Sequence, residues 1–488
     1  MSIRVAVTVA LLLTMFVAAH PVHSAPTTFT VNSTGDENDL DYPDGTFDDS
    51  SDGKCDSDAS ATGDQCTLRA AIQEANTTTD ADTISFNITT GCDATSGVCT
   101  INVGSSTAAS GEPLPEIIQQ VTIDGYTQGD ATATTDDDAT VNEISLARDG
   151  TNAKLLIELN GANVTDQLSP HNGLEIKASD VVVKGLVINR FGGTGIFIVS
   201  GGSGAEIGGN FIGTDPTGTQ GLGNVSGVGV FGDGANIIGG REAAAHNLIS
   251  GNFHGLTISS NTGNTIQGNL IGTNGDGTST PNNLGNVVEG VSIGSSNNIV
   301  GSAAGDNDLD SNLIAFNGDE GIRIGGGTGN RILNNRIHSN GKLGINMMGG
   351  TEDTNGVTRN DGRAKDRDTG ANNLQNFPAL SYASTVGGTT TIKGTLRSSP
   401  RKTFIIQIFS SPAKDPSGFG EGQEYIGERR VTTDRDGRGS FTFRTGAITR
   451  MFVTTTATRL APDPNNPTTL IPRDTSEFSA AKKVTLAR

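Results

Sequence analysis

Between Gly173 and Gly350 one short phrase, Gly-apolar-x-apolar, returns seven times, starting at Gly173, Gly195, Gly227, Gly255, Gly290, Gly321 and Gly344. The intervals between starts are 22, 32, 28, 35, 31 and 23 residues, so a short unit recurs with insertions. Self-similarity on this scale restricts a chain to a solenoid, because one unit cannot bury its own apolar face and must stack on the next. Within each unit the apolar residues alternate over a few positions and are broken by Gly and Asn. That is the pattern of strand and turn, not of helix.

Each unit supplies up to three such runs. The second contains Ile207, Ile238, Ile266, Val300 and Ile332; the third opens with Asn210, Asn247, Asn269, Asn312 and Asn335. Three strands per turn, stacked in register about 4.8 Å apart, predict an all-β protein built on a right-handed parallel β-helix. Ile176, Ile198, Val230, Ile258, Ile293 and Ile324 should then form one interior column. The recurring Asn suits a turn, through positive φ and hydrogen bonds along the stack. Insertions such as 215–223 and 274–286 belong in loops.

The ends of the chain differ from this middle. Residues 1–24 read as a signal peptide, with Arg4 ahead of an uncharged apolar run from Val5 to Ala19. No second apolar stretch is long enough to span a membrane, so the mature form is expected outside the cytoplasm, secreted or at the cell surface. Residues 25–90 form an N-terminal cap, 91–350 the β-helix and 351–376 a linker or solenoid end. Residues 377–488 are a C-terminal β-sandwich of Ig-like type, with strands at 389–396, 403–409, 424–433, 439–444, 451–458 and 476–485.

In the cap, Leu68, Ala71, Ile72 and Ala75 share one helical face behind Thr67, an N-cap residue. A short capping helix there would cover the open end of the first coil. The run from Cys66 to Asn76, Cys-Thr-Leu-Arg-Ala-Ala-Ile-Gln-Glu-Ala-Asn, resembles the "CSLREAI" N-terminal motif of secreted bacterial β-helix proteins. It departs from that wording at Thr67 and Ala70, both assigned to the polar face. The resemblance implies a pectate-lyase-like right-handed β-helix. The stretch Asp474–Ser479 resembles the end of the same family's C-terminal module.

All four cysteines precede the repeats, and export permits disulfides; local pairing, Cys55 with Cys66 and Cys92 with Cys99, is expected over the two other connectivities. A net charge of −20 argues against a nucleic-acid partner and permits cation binding. No cofactor is required, and Ca²⁺ is the one the acidic stretches suggest. Asp48, Asp52, Asp56 and Asp58 place oxygens at alternate positions around Gly53, but Ala59 stands where an EF-hand needs a bidentate Glu. Either a looser Ca²⁺ site or a solvated loop fits. Asp306, Asp308 and Asp310 pose the same alternative.

Chemistry on a β-helix lives on an outer strand face. Two residues after each repeat Gly stand Glu175, Phe197, Gly229, Thr257, Ser292, Arg323 and Asn346; just before each Gly stand Asn172, Thr194, Ser226, His254, Glu289, Glu320 and Leu343. Glu289 and Glu320 therefore fall one turn apart, with His254 a turn earlier and Arg323 beside Glu320. Such a pair suits glycoside hydrolysis or Ca²⁺, or is a solvated rim. The face reads as free of aromatic platforms. The residues favour a non-catalytic protein that binds an extracellular polysaccharide or cell-surface component. A polysaccharide lyase or hydrolase is the alternative, marked by a groove with three or more carboxylates and an Arg or Lys.

Overall fold

The structure, a computed structural model, describes residues 26–40, 53–58, 60, 63–106, 110–129, 138–165, 171–259, 262–279, 284–302, 308–361, 366, 368–449 and 451–486. The expected signal peptide, Asp48, Asp52 and Asp306 lie outside the described residues.

Three parallel sheets of nine, eight and seven strands run along a coil. The third is the sheet of the Gly phrases: Leu174–Ile176, Thr194–Ile198, Ser226–Val230, His254–Ile258, Val291–Ile293, Ile322–Ile324 and Ile345–Met347. Its register pairs Ile176 with Ile198, Val230, Ile258, Ile293, Ile324 and Met347 in succession. Those from Ile176 to Ile324 are all inaccessible to solvent, so the predicted interior column exists. The Gly before each strand has a local cause. A Cβ at Gly255 would meet the carbonyl oxygen of Gly290 at 2.3 Å, and the same approach recurs from Gly173 to Gly321. Neighbouring turns are too close there for any side chain.

The corners between sheets carry buried asparagine columns. Asn210, Asn247, Asn269, Asn312 and Asn335 donate side chain to side chain up one corner. Asn236, Asn264, Asn298 and Asn330 do so at a second corner. At the third, Asn224, Asn252, Asn286, Asn317 and Asn340 form a column that the sequence reading passed over. The expected positive φ belongs mostly to the residue before the Asn, as at Ala235, Phe316 and Ser339. The Asn itself spends its amide on satisfying backbone inside the corner.

The coil begins with Thr28–Val31, already the edge strand of the nine-stranded sheet. The helix Leu68–Ala75 packs against that end, with Leu68, Ala71, Ile72 and Ala75 in the main core. It has no polar face: Thr67 and Ala70 are fully buried, which corrects the assignment of both to solvent. Thr67 caps the helix by accepting from the Ala70 amide at 3.0 Å. Arg69 is buried because Asp36 receives its Nε and Nη2 at 3.1 and 3.0 Å. Both expected disulfides, Cys55–Cys66 and Cys92–Cys99, are formed. On the outside of the second sheet, Val187, Phe211, Leu248, Leu270 and Leu313 pack with Ala147 and Leu155 of the excursion that covers them.

The C-terminal part is a sandwich of two mainly antiparallel sheets around Ile392, Phe404, Ile406, Ile408 and Val453. It includes a strand not foreseen, Ala379–Val386. Most of the strand expected at 476–485 is absent, leaving two-residue pieces at 482–483 and 485–486. Ser476, Glu477, Phe478 and Ser479 are instead buried, with Phe478 and Phe409 in the solenoid's own core. The sandwich therefore docks on the last turn. Gly422 exchanges both backbone hydrogen bonds with Ile337. Glu421 accepts from Asn340 at the top of one asparagine column, and Asn372 accepts from Asn330 at the top of another. Among the described residues no helix is long and apolar enough to cross a membrane.

Candidate functional site

The outward column of the third sheet is Glu175, Phe197, Gly229, Thr257, Ser292, Arg323 and Asn346, as the register requires. The residues before the strands line up beside it, because the Gly290 amide donates to the Glu320 carbonyl and the Gly255 amide to that of Glu289. His254, Glu289, Glu320 and Arg323, which the repeat phasing singles out, all line one cleft of about 820 Å³. Asp319, Lys342, Asn346, Glu352 and Asp415 join them.

Several of these side chains are paired. His254 Nδ1 lies 3.2 Å from Glu289 Oε2. Asn346 Nδ2 donates to Glu320 Oε1 at 3.2 Å, and Lys342 Nζ stands 3.9 Å from the same oxygen. Lys342 also pairs with Asp319 at 2.7 Å. That hydrogen bond, with the charges of Glu320 and Glu289 behind it, holds the ammonium above its ordinary range. Glu289 and Glu320 are both under a tenth exposed. Asn346 is 5 % exposed, and its Oδ1 has no hydrogen-bond partner among the described residues. A buried acceptor left open costs about 1–3 kcal/mol.

The far end of the cleft was not legible. Glu352 and residues 354–356 come from a short hairpin after the solenoid, and Asp415, Pro416 and Ser417 from a sandwich loop. Nothing in the repeat phase points to either. Aromatic rings stand on and beside this face. Phe253 is 48 % exposed and sets its ring edge-on to His254 with centroids 4.8 Å apart. Phe197 lies over Gly229 and meets Phe231 at 5.3 Å. Phe253 carries no repeat signal, because it follows a corner Asn and falls outside the Gly-phased columns.

The acidic stretches fare differently. Asp56 Oδ1 accepts the amides of Asp58 and Gln65, and Asp58 Oδ1 accepts Ser60, so both carboxylates close turns. Asp308 is held between Arg148 and Arg336, and Arg336 continues to Glu424 of the sandwich. Asp361, Asp366 and Asp368 are the one group of three potential ligands within reach of one another among the described residues. Burial, together with its two acidic neighbours, pushes Asp366 up to about 7. Of the remaining histidines, burial drives His246 and His338 down to about 4, leaving both neutral at physiological pH.

Residues 232–389 match the family model described as periplasmic copper-binding protein (NosD). No curated protein matches the chain at a significant level. Among solved structures, the enzymatically active domain of bacteriophage CBA120 tailspike protein 2 aligns at 12% identity and a TM-score of 0.26. The alignment covers 93% of this chain and 64% of that domain. Full-length tailspike protein 2 from an Escherichia coli O157:H7 bacteriophage aligns at 10% identity and a TM-score of 0.18, over 86% of this chain and 66% of that one. No chemistry is carried across at such scores.

Proposed function

We propose that this chain is an exported or periplasmic β-helix protein that binds an uncharged polysaccharide in the cleft beside its third sheet. One observation carries the reading: the cleft is lined by five carboxylates and by the amides of Asn346 and Asn355, all able to accept from hydroxyls. Sugar hydroxyls donate to such oxygens, and a site built for hydroxyls rejects analogues that lack them. Five carboxylates (Glu289, Asp319, Glu320, Glu352, Asp415) face Arg323 and Lys342, so an acidic glycan would meet repulsion. Two disulfides suit an oxidising compartment.

A second reading, glycoside hydrolysis, rests on Glu289 and Glu320 standing on adjacent turns with different partners. Glu320 Oε1 faces the Lys342 ammonium and the Asn346 amide, while Glu289 Oε2 faces the His254 imidazole. Two carboxyls in unlike surroundings are what acid and nucleophile or base roles require. Copper, named for the matched family, finds no fitting donor set among the described residues. The one carboxylate trio among the described residues is a hard-oxygen set, all described cysteines are in disulfides, and copper prefers imidazole and sulfur.

The test is a panel of neutral and acidic polysaccharides scored for binding and for release of reducing ends. Neutral glycans should bind, and Asn346→Leu should weaken binding about tenfold or more. If cleavage occurs, the double variant Glu289→Gln with Glu320→Gln should abolish it while binding persists. Binding confined to acidic glycans, or indifferent to Asn346, would refute the proposal.

A further inference from the structure

The hairpin after the solenoid, bridged at Glu352 and Thr358, has two sides. Glu352 and residues 354–356 face the cleft; Asp353, Val357 and Arg359 face a second cavity of about 520 Å³, closed by Phe377, Phe419 and Lys482 of the sandwich side. This size lies within the range of small-ligand sites.

The chemistry of this cavity is opposite to that of the cleft. Phe377 and Phe419 meet edge to face at 5.5 Å and make an apolar wall. The wall is rigid: Asn360 holds the Phe377 backbone through both its amide atoms at 2.8 and 3.0 Å, and Phe419 bridges Ala480. Asp353 is committed to its own turn, accepting the amides of Asn355 and Val357. Arg359 and Lys482 have no ion-pair partner among the described residues. Both cations therefore stand beside the aromatic wall. Guanidinium recognises carboxylate by paired hydrogen bonds, and an aromatic wall takes the apolar face of a ring.

We infer that this cavity is a second carbohydrate site, one that takes a sugar ring bearing a carboxylate, a hexuronate unit. It stands independently of the cleft reading, since it shares only the hairpin wall and none of the cleft's charged groups.

The probe is tri-galacturonic acid, with its methyl ester as the uncharged twin and inorganic phosphate as the ring-free anion, each titrated by calorimetry and ligand-observed NMR. The acid should bind in the roughly millimolar range or tighter, with the ester and phosphate each about tenfold weaker or more. Arg359→Gln with Lys482→Gln alters exposed or half-exposed side chains, should keep the melting temperature, and should weaken the acid about tenfold. Arg401→Gln with Arg444→Gln, exposed cations that line neither cavity, should leave acid binding unchanged, which separates this site from general surface charge. Equal binding of acid and ester, equal binding of phosphate, insensitivity to the cation variant, or no binding of the acid at millimolar concentration would each overturn the inference.

Discussion

At the scale of one residue, a single corner asparagine satisfies several buried groups at once. Asn252 receives the Asn224 amide and side chain on Oδ1, and its Nδ2 donates to Ile212, Ser250 and Asn286. Asn252→Ala leaves several buried groups open at about 1–3 kcal/mol each, so a loss of about 3 kcal/mol or more is expected in denaturant unfolding. Asn163→Ala, at an exposed turn, should stay within about 0.5 kcal/mol. The Arg69–Asp36 pair makes a second case. Burial raises the Asp36 carboxyl even though Arg69 opposes it. Arg69→Met would strand that carboxyl, at a cost of about 3–5 kcal/mol. Adding Asp36→Asn should recover part of the loss, and a double-mutant cycle reads the difference.

At the scale of elements, the joint between solenoid and sandwich rests on two buried glutamates. Glu421 accepts the amide and side chain of Asn340 at 3.3 and 2.9 Å; Glu477 accepts the amides of Met347 and Thr358 at 2.9 and 3.0 Å. Burial outweighs these hydrogen bonds and pushes Glu421 up to about 7 and Glu477 up to about 8. The folded joint therefore keeps protons that an unfolded chain releases near the ordinary value of 4.5. Its contribution is complete below that pH and is lost as pH rises through 7 and 8. Melting temperature should fall across this window, and Glu421→Gln with Glu477→Gln should flatten the fall. None of this joint was legible in the sequence. The Gly phrases resolved the third sheet residue by residue, because backbone crowding repeats with every turn and leaves a fixed mark. The third asparagine column was legible in principle, since Asn224, Asn252, Asn286, Asn317 and Asn340 each stand three or four residues before a phrase Gly. Glu421 and Glu477 meet their partners 81 and 130 residues away, and no period links such positions.

At the scale of the whole molecule, the sandwich is part of the rod's end. Arg148, Asp308, Arg336 and Glu424 form a chain of charges from the excursion over the second sheet, across the solenoid, to the sandwich. Three of the cleft's lining residues, Asp415, Pro416 and Ser417, come from the sandwich. Arg336→Leu should therefore loosen the docking and, through it, weaken any glycan bound in the cleft, which calorimetry on the full chain would detect. The terminal turn itself has a further bearing. Its backbone groups near Ile332, Asn340 and Met347 are answered by Thr475, Glu421 and Glu477, while the helix Leu68–Ala75 packs over the opposite end. A coil of identical rungs has no natural last rung, so stopping it is a task given to particular atoms. A chain cut after Gly350 would bare one adhesive edge and keep the other shut. Its molecules should meet edge to edge and halt at pairs, where a chain stripped at both ends would run on into fibres.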